Sequence, residues 1–141
     1  DLVLMDLELL HTPLYTGLTA AFLMVMQVVL MYRVIGQRGQ ADVLIGAGGN
    51  EALEQRQRVH GNFIENVPTF LIGLALIEMM VGSTLWVLVL AGVFVVSRIA
   101  HAIGLGMSTG VTPGRLAGTL GTMICTLIAG GYLAYLVIGQ L

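Results

Sequence analysis

The sequence contains no lysine and a single cysteine, and only 10% of its residues are charged. Each scarcity excludes something. With arginine as the only strong base and a net charge of −2, no basic surface is available to hold nucleic acid. Cys125, alone, can neither close an intrachain disulfide nor supply a multi-cysteine metal centre, and no metal site is read from the sequence. In its apolar surroundings, TMICTLIAG, it reads as a small packing residue. The GAGGN stretch lacks the lysine and the serine or threonine of a phosphate loop and reads as a turn. The N-terminal DLVLMDLELLHTP carries acids in place of the basic n-region of a signal peptide, so the first long apolar run is expected to stay as a membrane span. Met5 stands as a plausible initiator, which leaves the origin of residues 1–4 open.

What the chain does have is apolar length. Of its 141 residues 57% are hydrophobic, and the mean hydropathy of +0.92 lies outside the range of ordinary soluble domains. Four segments are long enough to cross a hydrocarbon core of about 30 Å. They predict a single transmembrane domain over 1–141, all-α, an antiparallel four-helix bundle with helices near 13–36, 51–81, 84–106 and 113–139. Asn50 is the expected N-cap of the second helix, with Glu51 and Glu54 in its first turn. A helix from there to Met80 is about 45 Å long at 1.5 Å per residue, so its first turns stand in or beyond the headgroup region. Ser83 or Thr84 caps the third helix, and Thr112 with Pro113 opens the fourth.

All six arginines flank the first and third connections: Arg33, Arg38, Arg56 and Arg58 at one, Arg98 and Arg115 at the other. The remaining termini and loop have none, which by the positive-inside rule puts the arginine-bearing end in the cytoplasm and both termini outside.

Arg58, Asn62 and Glu65 follow one another at i, i+4 and i+7 and fall within about 40° on one helical face, with Glu54 and Thr69 close to the same line. A carboxylate in a span is costly, so Glu65 is expected to meet a partner charge, with an arginine of another helix the leading choice, or a wet cavity. The third helix adds Arg98 and His101, and the fourth adds Arg115, Thr119, Thr122 and Thr126, so three polar faces converge at one depth. Each has a plainer reading. Arginines at helix ends snorkel and fix topology, which suits Arg33, Arg38 and Arg56, and threonines in spans bond their own backbone. His60 lies off the stripe and faces a neighbouring helix or subunit, Glu78 is read as interfacial, and Gly114, Gly118 and Gly121 as positions of close helix packing.

The string RVHGNFIENVP, with the apolar run ending LIE, SRIAHAIGL and PGRL, resembles the signature of the MAPEG superfamily, the membrane-associated proteins in eicosanoid and glutathione metabolism. The resemblance covers nearly the whole chain and is nearest the small bacterial branch. It implies a homotrimer, an inner-membrane location, and glutathione bound as co-substrate in a cytoplasm-facing pocket between subunits. Carried over position by position, Arg58, Asn62 and Glu65 would hold the tripeptide, with Arg98 and His101 from the third helix and Arg38, or less well Arg33, from the first. Arg115 would sit beside the thiol as the catalytic residue. Glutathione has two carboxylates and an ammonium, which call for arginine forks and an acid. A guanidinium at a helix N-terminus favours the reactive thiolate.

The implied activity is that of a glutathione transferase or peroxidase acting on hydrophobic electrophiles or lipid hydroperoxides from the bilayer. Departures from the eicosanoid-forming members are Leu105 and Thr119 where they carry tyrosines, Leu116 where the prostaglandin-forming member has serine, and Gly61 for the arginine beside the asparagine. These argue against eicosanoid synthesis. Two rivals remain open: a small proton-coupled drug exporter with Glu65 as its membrane carboxylate, and a non-catalytic accessory subunit of a membrane complex.

Overall fold

A computed structural model describes residues 10–141, and Met5 and its neighbours lie outside the described residues. It contains four helices: α1 (Leu14–Ala41), α2 (Glu51–Val81), α3 (Leu85–Met107) and α4 (Pro113–Ile138), each long and apolar enough to cross a membrane. The connections between α2 and α3 and between α3 and α4 are too short for anything but antiparallel neighbours. α3 is the most enclosed helix, packed chiefly on α4 and also on α2 and α1.

Helical periodicity explains the burial. On α2, Val59, Phe63, Val67, Phe70, Leu74 and Ile77 recur every three or four residues and form one buried stripe, and Phe70 stacks on Phe94 of α3 with ring centroids 3.7 Å apart. Leu14, Leu18, Phe22, Val25, Val29 and Tyr32 make a second such stripe on α1, and this one is exposed. An apolar face turned outward costs nothing when the solvent is lipid.

The α3–α4 seam is set by small residues. A Cβ on Gly118 would lie 2.5 Å from both the His101 nitrogen and the Ser97 carbonyl, one on Gly114 would lie 3.1 Å from the Ala100 carbonyl, and one on Gly121 would overlap the Ser97 side chain. Gly104 of α3 meets α4 in the same way, at the backbone of Gly114 and Arg115. The helices therefore approach almost backbone to backbone, and this brings His101 of α3 beside the first turn of α4.

Three local features correct the sequence reading or decide between its alternatives. α1 runs to Ala41, beyond the expected end near residue 36, because GQRGQ is polar but contains no proline. It ends where Asp42 adopts a left-handed conformation (φ 52°). Of the two proposed caps for α3, Thr84 takes the role through Val87 N–H, while the Ser83 hydroxyl turns to Glu78. Glu78, expected at the interface, is fully buried. Its carboxylate accepts from the backbone N–H of Tyr15 (2.9 Å), and from the backbone N–H and hydroxyl of Thr16 (2.7 Å each). Those amides belong to the first turn of α1, whose N-cap residue Pro13 makes no side-chain cap, so α2 supplies the cap that α1 lacks.

Candidate functional site

α2 begins with the Asn50 side chain accepting from Leu53 N–H at 2.8 Å, and its first three turns carry Glu51, Glu54, Gln55, Arg58 and Asn62 along one side. α4 begins in the matching way, with the Thr112 hydroxyl accepting from Arg115 N–H at 3.2 Å. Between these two helix starts lies a cavity of about 320 Å³, lined by those five residues of α2, by His101 and Leu105 of α3, by Thr109, and by Arg115. Its size is near the lower end of the roughly 300–1,000 Å³ typical of small-molecule sites. The lining holds two carboxylates, two guanidiniums, two amides and an imidazole.

Behind the cavity sits Arg98, only 1% exposed. Its Nη2 donates to Asn62 Oδ1 at 2.6 Å and lies 3.4 Å from His101 Nδ1, and its Nη1 donates to the Thr122 hydroxyl at 3.1 Å. Arginine only donates, so Nδ1 of His101 accepts and the imidazole hydrogen sits on Nε2. Among the described residues no carboxylate pairs with this guanidinium, and its Nε has no partner. Asn62, Arg98, His101 and Thr122 thus join α2, α3 and α4 through one buried network. The polar faces inferred from helical spacing do converge.

Arg115 bridges cavity and loop: its Nη1 donates to the carbonyls of Thr109 (3.0 Å) and Gly110 (3.2 Å), leaving Nη2 and Nε free of protein partners among the described residues. The chain of hydroxyls on α4 resolves into self-bonding: Thr119, Thr122 and Thr126 each donate to the carbonyl four residues back. Thr122 alone reaches another helix, as acceptor for Arg98.

Of the residues singled out from the sequence, Arg58, Asn62, His101 and Arg115 line the cavity and Arg98 touches two of them. Arg38 and Glu65 stand apart. The Arg38 guanidinium donates to the carbonyls of Val43 (3.3 Å), Leu44 (3.2 Å) and Gly46 (2.9 Å), and so holds the first connection. Glu65 does not meet an arginine of another helix. Its nearest guanidinium is that of Arg58, 4.0 Å away on the same helix, and both side chains are about 60% exposed. Asn62 has already taken the inward direction, and Glu65, one turn on, faces out of the subunit. His60, off this stripe as expected, is half-buried with a buried Nε2 that has no hydrogen-bond partner.

Glu51, Gln55 and Thr109 were missed as site residues. Glu51 was read as a helix-start acid only, and Glu54 as a helix-start acid close to the line of the stripe, yet the spacing 51, 54, 58, 62 continues the Arg58–Asn62 stripe backwards and could have found both. Nothing in the sequence marks Thr109, which the α3–α4 turn brings to the rim.

The MAPEG family model matches residues 16–135, which takes in all but the outermost few residues of the four helices and every residue of the network. The chain belongs to the MAPEG family. Comparison with curated proteins gives no match. As a MAPEG protein with four membrane-length helices, it is an integral, multi-pass membrane protein. The family includes glutathione transferases and peroxidases together with other members.

Proposed function

We propose that this MAPEG protein is a membrane-bound glutathione transferase or peroxidase, with glutathione as the thiol co-substrate. The observation that carries the proposal is the cavity's mixed lining. Glutathione carries two carboxylates, an ammonium and two amides. Arg58 and Arg115 match the carboxylates or the thiolate, Glu51 and Glu54 match the ammonium, and Gln55 and Asn62 match the amides. Few ligands need both signs of charge and amide partners in so small a space.

Arg115 stands at the N-terminus of α4, where the helix dipole adds to its own charge. A thiol placed there loses its proton more readily, and the thiolate is the nucleophile. In the transferase reaction the sulfur forms a bond to an electrophilic carbon as the leaving group departs with the electron pair. In the peroxidase reaction two thiols give a disulfide while a hydroperoxide is reduced to alcohol and water. Either electrophile would arrive from the bilayer, where the apolar outer faces of the helices already lie.

Glutathione would be shared between subunits of a homotrimer, with the arginine-bearing end in the cytoplasm. The exposed Arg58–Glu65 pair supports such an assembly. At the depth of Glu65 an exposed carboxylate in lipid costs several kcal/mol, on the order of 2.5–3.5 on insertion scales, and a neighbouring subunit removes that exposure. A covering subunit would also bring Glu65 into the site.

A second reading, the non-catalytic accessory subunit, is favoured by two observations: part of the Arg115 guanidinium is committed to loop carbonyls, and Leu105 presents no hydroxyl to the cavity. Calorimetric titration of the detergent-purified chain with glutathione separates the two. Saturable binding is expected, by particles that sediment as three chains. It should weaken by roughly 10- to 100-fold in Arg58→Ala, the range for losing a charge-assisted hydrogen bond. Absence of binding in the wild-type chain would leave the accessory reading in possession.

A further inference from the structure

A second, smaller cavity opens at the same end of the bundle, on the other side of Gln55. It measures about 110 Å³ and lies among α1, α2 and α3. Its polar lining comes from Arg33, Arg56 and Gln55, and its apolar floor from Leu30, Ala52, Val59 and Gly106. Gln55 is the wall between the two cavities, fixed by its amide donating to the Leu105 carbonyl at 2.7 Å.

The chemistry of the two linings differs in a telling way. The larger cavity mixes acids with bases, whereas the smaller has two guanidiniums and no acid. Among the described residues neither Arg33 nor Arg56 has a carboxylate within 4.0 Å. The two are nonetheless held together: Arg56 Nη1 donates to the Arg33 carbonyl at 3.1 Å, and Arg33 Nη1 folds over α3 to about 4 Å from where a Cβ on Gly106 would stand. A larger side chain at 106 would crowd the space that this guanidinium uses. Simple snorkelling would send both groups outward into water. Here Arg33 is exposed and Arg56 half-buried, and both border a crevice whose other wall is apolar.

We propose that this crevice binds a phosphate oxyanion, most naturally the headgroup phosphate of an anionic membrane lipid. Two guanidiniums without counterions supply charge and up to four forked N–H donors for a phosphate. The cavity lies where α1 and α2 leave the apolar core, which is the depth of lipid headgroups. Leu30 and Val59 close the floor of the cavity and belong to the buried core of the bundle, so the crevice has room for a headgroup phosphate at its mouth. A choline headgroup carries the same phosphate but adds a trimethylammonium that two arginines repel, so selection falls on net anionic lipids. The site is independent of any reading of the glutathione cavity.

Native mass spectrometry of the full-length chain tests this, in detergent micelles doped with equal phosphatidylglycerol and phosphatidylcholine. Arg33→Gln is the principal variant because the Arg33 side chain makes no hydrogen bond among the described residues, so its removal leaves helix packing intact. Preferential retention of phosphatidylglycerol is expected in the wild-type chain. Retention should fall by roughly five-fold in Arg33→Gln and again in Arg56→Gln, while Arg38→Gln, whose guanidinium is occupied by loop carbonyls, keeps it. Addition of millimolar inorganic phosphate distinguishes the sources. Displacement of the lipid, lost in Arg33→Gln, places free phosphate at the same guanidiniums, and undisturbed retention assigns the site to the lipid. Equal retention of the two lipids by the wild-type chain, or retention of phosphatidylglycerol unchanged in both variants, overturns the proposal.

Discussion

A guanidinium sealed among three membrane-spanning helices must find its acceptors locally, and Arg98 finds them in Asn62, Thr122 and His101. None of the three is charged by necessity, so the network tolerates a carboxylate at one position better than a gap. Asn62→Ala removes the shortest of these bonds and should lower unfolding stability by about 1.5–3 kcal/mol, the range for hydrogen bonds to charged groups. Asn62→Asp, which pairs an acid with the buried cation, should recover most of that loss. Equal loss in both variants, measured by denaturant unfolding in mixed micelles, would show that Asn62 acts through its shape alone. At this scale much of the site was legible. Arg58, Asn62, His101 and Arg115 could be picked out because a period of 3.6 residues puts them on definite helical faces. The direction of Glu65 was not legible, because periodicity gives a face but does not say which neighbour covers it.

The helices themselves were largely written in the pattern of apolar residues and caps. Asn50, Thr84 and Thr112 take the cap positions that their side chains suit, and Pro113 sits at the first turn of α4, where its missing N–H costs nothing. The start of α1 was the exception in mechanism, since its cap comes from Glu78, more than sixty residues along the chain. No local rule finds such a partner, and only tertiary contact reveals it. Glu78→Ala leaves three donors of α1 without their acceptor, and should lower stability by about 3 kcal/mol. Glu78→Gln keeps one carbonyl oxygen and should cost less. Hydrogen exchange at the Tyr15 and Thr16 amides checks the assignment directly: it should accelerate in Glu78→Ala, and unchanged protection there would place the cap elsewhere. The far end of α1 was misjudged for a different reason. The apolar run ends near residue 36, but the helix continues through the polar GQRGQ and stops only at the left-handed Asp42.

In the whole molecule, apolar surface, polar network and charge are sorted along the membrane normal. The stripe of α1 and the outer face of α4 are apolar and exposed, the glycine seam of α3 and α4 holds two backbones close, and the arginines gather at one end. That sorting was visible as a composition gradient in the sequence. The division of the arginine-bearing end into two cavities with different chemistry was not, because it depends on the placing of Gln55 between them. The larger cavity carries the central claim, that this membrane protein activates the thiol of glutathione. Its most direct measurement is the ultraviolet difference absorbance of the thiolate when glutathione is added to the purified chain at neutral pH, in the wild type, Arg115→Ala and Glu65→Ala. A thiolate band should form in the wild type and be lost in Arg115→Ala more than binding is lost, whereas Glu65→Ala should chiefly weaken binding. A wild-type chain that binds glutathione without any thiolate band, or a band that survives in Arg115→Ala, would contradict activation by Arg115.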